Sequence, residues 1–325
     1  MPLGFLLPHV TVPRERNSRM ANADQGTAAP RATWWDVAMP RIVVVTDSTA
    51  SLAPEMTDAR GIVVVPLQLV VGDRTLDEDP ADSAGTVTNA LKERRQVSTS
   101  RPSPELMLDA YERAAAQGAG EVVSVHLSSR LSGTFESAEL AARRSPVPVH
   151  PVDTGQLGMG TGFAVLAAAQ ARDAGLDGVS VAAAARTRAE ATRSLFYVDT
   201  LEHLRRGGRI GAARSLLGSV LAVKPLLTIS AGAVVPLDKA RTSTRALQRL
   251  VELAVAAAQE AGAPVDVAVQ HLASGQRAEG VADRLRERLQ LTEVEVSEVG
   301  GVLGAHVGPG MVAVVVAPRW EQPTD

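Results

Sequence analysis

The chain has 325 residues, 33 basic and 36 acidic for a net charge of −3, and it contains no cysteine. The missing thiols exclude disulfides, thiolate zinc sites, iron–sulfur clusters and a cysteine nucleophile. Balanced charge and 3% aromatic residues provide neither the electrostatic footprint nor the stacking platforms of a nucleic-acid binder, while 45% hydrophobic residues over this length suffice for about two domains with a large core.

Residues 1–40 mix Pro, Arg, Asn and Ala without periodicity, the pattern of a disordered N-terminal extension. It holds Trp34 and Trp35, and Met39 is an alternative start just ahead of the first strong strand. Ile42 to Thr46 is a β-branched run without polar alternation, as in a strand buried on both faces of a parallel sheet. Apolar runs at 61–71, 121–127 and 147–153 alternate with helix-like segments, which implies an α/β domain. Residues 163–193 read as Ala-rich helix, broken near Gly175 to Gly178. After the run at 195–199, segments 226–229 and 233–237 flank Ser230-Ala231-Gly232 as a hairpin with glycine in its turn. A helix at about 243–261 turns Leu247, Leu250, Val251 and Leu253 inward. A strand at 265–270, a helix at about 275–289 and strands at 293–299 and 311–317 complete the set. The expected architecture is α/β, with an N-terminal parallel-sheet domain over 41–155, a C-terminal α+β domain over 156–320 and a frayed end at 321–325. No window reaches the roughly 18 apolar residues that span a bilayer, so no stable membrane insertion and a cytoplasmic location are expected.

Five segments could carry chemistry. Thr46-Asp47-Ser48-Thr49 ends the first strand, where open α/β sheets bind ligands, but Asp and Ser there also cap a following helix. In Ser98 to Glu105, Ser103, Pro104 and Glu105 make a complete helix start; Thr99 and Ser100 precede it and are left to a solvated loop or a site. In Leu127 to Phe135 a strand runs into a hydroxyl-rich turn. Ser132 and Gly133 stand where the next helix begins, a natural anion site. Leu201 to Ile210 sets Arg205, Arg206 and Arg209 around a Gly-Gly helix end, which suits either the helix dipole or an acidic or phosphorylated partner. Gly300 to Gly310 is a loop with five glycines around His306. A lone histidine is no metal site, and His126 on an apolar strand reads as a core residue. GxxxxGK[ST] and GxSxG do not occur, and Gly158 to Phe163 is one residue short of a dinucleotide fingerprint.

Taken together, the segments resemble the DegV family of bacterial fatty-acid-binding proteins. Val44-Val-Thr-Asp-Ser-Thr-Ala50 looks like its opening strand and DST turn. Thr99-Ser-Arg-Pro-Ser-Pro104 is similar to TSQPSP, with Arg101 in place of Gln, and Ser128 to Thr134 is similar to SSxLSGT. Thr200 to Gly211, Lys224-Pro225, Lys239 to Thr242 and Gly304 to Gly310 resemble TLExLRRGGRIG, KP, KxRT and GxHxGPG. The motifs keep the family order over 41–318, and Gly158 departs from a serine that the family often has.

The resemblance implies a two-domain DegV-like fold holding one long-chain fatty acid, with no catalytic residue, metal or cofactor. Thr99, Ser132 and His306 would bind the carboxylate, flanked by Ser100, Gly133 and Ser48, with the tail in an apolar tunnel. A separate fatty acid kinase would phosphorylate the presented acid and feed phospholipid synthesis, with Arg205, Arg206 and Arg209 as its docking patch. The competing expectation is a hydrolase acting on a lipid or acyl substrate, with Ser132, His306 and Asp47 as its triad.

Overall fold

The computed structural model describes residues 41–79, 82–216 and 223–322. The expectations for the N-terminal extension, Met39, the tryptophan pair and residues 323–325 lie outside them. In chain order the elements are β1 (Ile42–Asp47), α1 (Pro54–Ala59), β2 (Ile62–Val65), β3 (Gln68–Val71), β4 (Arg74–Asp77), α2 (Ser83–Lys92), β5 (Val97–Ser100), α3 (Pro104–Ala116), β6 (Glu121–His126), α4 (Thr134–Ala142) and β7 (Val149–Asp153). There follow α5 (Met159–Asp173), α6 (Gly178–Ala191), β8 (Arg193–Tyr197), α7 (Glu202–Arg206), β9 (Lys224–Ser230), β10 (Ala233–Ala240), α8 (Ser243–Glu260), β11 (Val265–His271), α9 (Gly275–Leu289), β12 (Glu295–Glu298), α10 (Gly301–Val307) and β13 (Val312–Pro318).

A parallel sheet of order β2-β1-β6-β7 carries the first half, with Val44 opposite Ile62 and Val123. Every residue of β1 is buried, as its unbroken β-branched run requires. A six-stranded sheet of order β10-β9-β8-β13-β11-β12 carries the second half, antiparallel except for β11 with β12. The Ala-rich helices α5 and α6 lie between the two sheets. Val123 and Val152 on one side and Val315 and Ala317 on the other pack with them in one core. Alanine suits this place because a helix buried on several faces needs small side chains to let both sheets approach. The outer face of the parallel sheet is covered by α3, through Met107 and Tyr111, and that of the larger sheet by α8 and α9, through Leu250 and Leu285.

Three segments differ from the sequence expectation. The run at 61–71 is two strands in two sheets, because Pro66, between them, has no N–H for a ladder. The second piece, β3, pairs with β4 and β5 in a separate antiparallel sheet, so Thr99 and Ser100 belong to a strand and not to a loop. The Gly-rich segment around His306 contains the helix α10. Its glycines serve close packing: a Cβ at Gly301 would come 2.7 Å from the Ser83 carbonyl oxygen. The β9–β10 hairpin forms as expected, with Ala231 (φ 46°) and Gly232 (φ 76°) both left-handed at its turn.

Candidate functional site

At the end of β1, Asp47 is fully buried, and its carboxylate is already committed. One oxygen accepts from the Thr49 amide and hydroxyl, the other from the Leu127 amide (3.2 Å) and from His126 Nδ1 at 2.9 Å. His126 Nε2 lies 2.7 Å from Ser124 Oγ, to which Tyr111 also donates (2.8 Å). Asp47, His126 and Ser124 thus have the connectivity of a triad, but all three are at 0% exposure, so this network ties β1 to β6 and meets no solvent. His126 is a satisfied core residue. The expected triad of Ser132, His306 and Asp47 is not assembled, because Asp47 is bound to His126 and Ser132 to Thr134.

A cavity of about 330 Å³ opens where the end of β5, the β6–α4 turn, α10 and the large sheet meet. Leu195, Phe196, Leu303 and Met311 are among its apolar walls. One end is polar, and contacts link its members in sequence. Thr99 Oγ1 lies 2.9 Å from His306 Nε2. Arg209, which depresses the titration of that imidazole, donates to the Leu131 carbonyl (3.0 Å). Leu131 leads into Ser132 and Gly133, and the Gly133 carbonyl accepts from Arg101 (3.1 Å), which closes back on Ser100 and Thr99. Ser132 Oγ pairs with Thr134 Oγ1 at 2.8 Å and accepts only a long bond, 3.4 Å, from the Thr134 amide, so where Thr134 is the donor of the pair the Ser132 proton can turn to a ligand. The first turn of α4 adds its N-terminal N–H groups and positive dipole end beside Gly133.

The site is electropositive without being protonated. Burial, and secondarily the Arg209 charge, push the His306 imidazole down to about 4, so it is neutral at pH 7. Its Nδ1 is buried without a hydrogen-bond partner, packed where a side chain at Gly207 would stand. Among the described residues, Arg209 pairs with no carboxylate. It donates only to the carbonyls of Leu131 and Gly207. Arg101, half exposed, lines the cavity and pairs with the exposed Glu136. On the other side of Thr99 and His306 lies a second pocket of about 490 Å³, a groove lined by Arg94, Arg95, Arg206 and Arg209 among others.

Five of the six residues expected at the binding site, Thr99, Ser100, Ser132, Gly133 and His306, line this one cavity. Ser48 does not. Its hydroxyl donates to Glu78 (2.5 Å) and accepts from the Leu67 amide (3.0 Å). The three arginines divide. Arg205 and Arg206 both bind Glu202, whose carboxyl they hold down at about 2, whereas Arg209 turns into the cavity. Sequence reasoning missed Glu78, a buried acid whose second oxygen accepts from the Val302 amide (2.8 Å). With Ser83, which accepts from Gly301 (3.0 Å), it holds the start of α10 and so aims His306. Burial raises the Glu78 carboxyl above its usual range. Nothing local in the sequence around Glu78 signals a partner 224 residues away. Among the described residues no cluster of acidic or imidazole side chains could hold a metal ion, and no helix is long and apolar enough to cross a membrane.

Residues 41–319 match the model of the DegV family, which is described as a family of uncharacterised proteins. A DegV domain-containing protein of Streptomyces coelicolor is 52% identical over 279 residues, 86% of this chain and 99% of the relative. Among solved structures, a fatty-acid-binding DegV family protein from Thermus thermophilus superposes with a TM-score of 0.78 at 32% identity, over 86% of this chain and 100% of that one. DegV of Bacillus subtilis, described as a fatty acid binding protein, superposes equally well at 31% identity and the same coverage.

Proposed function

The chain belongs to the DegV family, and from that premise we propose that it binds one long-chain fatty acid and presents it, carboxylate outward, to a separate fatty acid kinase. The observation that carries the reading is the form of the cavity: an apolar chamber with one polar end built from Thr99, Ser132, His306 and Arg209. An acyl tail needs only dry apolar wall, and each buried CH₂ contributes about 0.8 kcal/mol. A carboxylate needs a few converging donors, which the two hydroxyls, the imidazole and the first turn of α4 supply. The relatives from Thermus thermophilus and Bacillus subtilis, described as fatty acid binding, support the same ligand.

The kinase part rests on chemistry. No glycine-rich nucleotide cradle occurs in the sequence. The arginine-lined groove shares Thr99, His306 and Arg209 with the cavity. A phosphoryl donor carried by another protein would meet the carboxylate from that side, its charge opposed by arginines, and Arg206 in the groove wall with Arg205 next to it in the chain would meet the donor protein. The acyl phosphate would enter phospholipid synthesis in the cytoplasm.

Native mass spectrometry of the purified chain tests the binding. One C14–C18 acid per chain, retained or taken up on addition, is the expected result. No bound acid under either condition overturns the proposal. Phosphorylation of the bound acid by an added fatty acid kinase and ATP tests presentation, and a kinase that acts equally well on free acid refutes it.

A further inference from the structure

Among the described residues, β5 is an outer strand of the sheet β4-β3-β5, with nothing paired beyond it. Its register fixes where its backbone groups point. The Gly72 amide donates to the Gln96 carbonyl at 3.1 Å, and these two residues stand opposite each other, one step past Val71 and Val97. In an antiparallel ladder, opposite residues alternate between pairs that exchange hydrogen bonds and pairs that do not. Gln96, Ser98 and Ser100 therefore turn their N–H and C=O toward β3, and Val97 and Thr99 turn theirs away from it. The far side of β3 agrees. The Glu78 amide donates to the Leu67 carbonyl at 2.8 Å, which gives the backbone groups of Leu67, Leu69 and Val71 to β4 and leaves those of Gln68 and Val70 for β5.

Among the described residues, the backbone N–H and C=O of Val97 and Thr99 have no hydrogen-bond partner. Both residues line the arginine groove, whose other wall includes Arg206 and Arg209. Arg94 and Arg95 stand where the chain enters β5. The neighbouring acids are already taken, Glu93 by Arg95 and Glu202 by Arg205 and Arg206. Arg94, like Arg209, pairs with no carboxylate among the described residues. β5 itself, Val-Ser-Thr-Ser, carries neither the proline nor the charge that usually blunts a free edge.

Building on the reading that a separate protein meets the bound acid from this groove, we infer that the partner docks by strand addition. An extended segment with acidic side chains lies along β5, its backbone pairs with Val97 and Thr99, and its carboxylates meet Arg94 and Arg209. In this mode main-chain hydrogen bonds supply affinity and side chains supply specificity. The two outward residues offer two N–H and two C=O groups over a strand about 13 Å long. The added strand would run about 4.8 Å from Thr99, whose hydroxyl lies 2.9 Å from His306. Docking therefore sets the partner in register with the head group. A second copy of β5 would instead bring arginine against arginine.

The test is amide hydrogen exchange at residue resolution on the full chain loaded with hexadecanoic acid, with and without an added fatty acid kinase. The Val97 and Thr99 amides should exchange about tenfold or more slowly in the complex, and those of Ser98 and Ser100, already bonded to β3, should change less. A complex that forms without slowing at Val97 and Thr99 overturns the inference and leaves presentation standing. Val97→Pro removes one outward N–H at an edge position that tolerates proline. It should keep fatty-acid binding and weaken kinase binding about tenfold, and Arg94→Glu should weaken kinase binding as well. Kinase affinity unchanged in Arg94→Glu overturns the acidic segment, and the exchange pattern decides the strand even if Val97→Pro does not fold. Slowing of the same two amides in the chain alone as its concentration rises makes β5 a self-association edge and also overturns the inference. A kinase that neither binds the loaded chain nor phosphorylates its acid removes the presentation reading and this inference with it.

Discussion

A carboxylate arriving at the polar end of the cavity should draw a proton onto His306. In the empty chain burial and Arg209 hold the imidazole down at about 4, so at pH 7 it carries almost no charge. An anion about 4 Å away interacts with an imidazolium by about 4 kcal/mol at an effective dielectric near 20. That is equivalent to about 3 pH units, enough to bring the group back to roughly neutral. Binding at pH 7 should then take up about half a proton. Because uptake accompanies binding, affinity should fall about tenfold between pH 6 and pH 8. Titration calorimetry in two buffers of different ionisation enthalpy measures the uptake directly. His306→Gln keeps a donor beside Thr99 and cannot titrate, so its uptake and its pH dependence over this range should vanish. Equal proton uptake by the unaltered chain and His306→Gln would refute the argument and remove His306 from the head-group site.

Further expectations concern the frame around that site. Ser132→Ala should weaken fatty-acid binding by about 1.5–3 kcal/mol, one bond to a charged group. The same change should shift the denaturant midpoint little, since the 3.4 Å bond to the Thr134 amide makes Ser132 a poor cap; unchanged affinity would leave it a turn residue only. Arg209→Ala should raise the His306 titration, followed by NMR, because its charge opposes protonation. Arg205→Glu with Arg206→Glu should leave binding intact and slow kinase-coupled phosphorylation; a normal rate would make their pairing with Glu202 purely structural. For stability, the folded titration of His306 lies below its unfolded value. The unfolded chain therefore binds the extra proton first, and stability from this group is complete above about pH 6.5 and lost as pH falls through about 4. Urea melts of the lipid-free chain at pH 7 and pH 4.5, compared with those of His306→Gln, isolate that contribution.

The sequence by itself determined most of the secondary-structure elements and five of the six residues expected at the cavity. The β-branched run of β1, the Gly turn of the β9–β10 hairpin and the apolar stripe of α8 are local patterns, and local periodicity dictates which face must leave water. Thr99, Ser132 and His306 were legible as hydroxyls or imidazole beyond what a cap or turn requires, and as a family pattern. Only the tertiary structure decided that Asp47 belongs to His126, that Ser48 serves Glu78, and that Arg209 parts from Arg205 and Arg206. It also decided that the Gly-rich segment is a helix, held at its start by Glu78 and Ser83. Those outcomes depend on partners from 30 to 224 residues apart. A buried carboxylate or amide can be satisfied by any donor the packed chain brings near it, and one-dimensional spacing does not say which. Gln270 is the plainest case. Its oxygen is fixed by an amide 111 residues earlier in the chain, and its unpartnered nitrogen shows only in the packed chain.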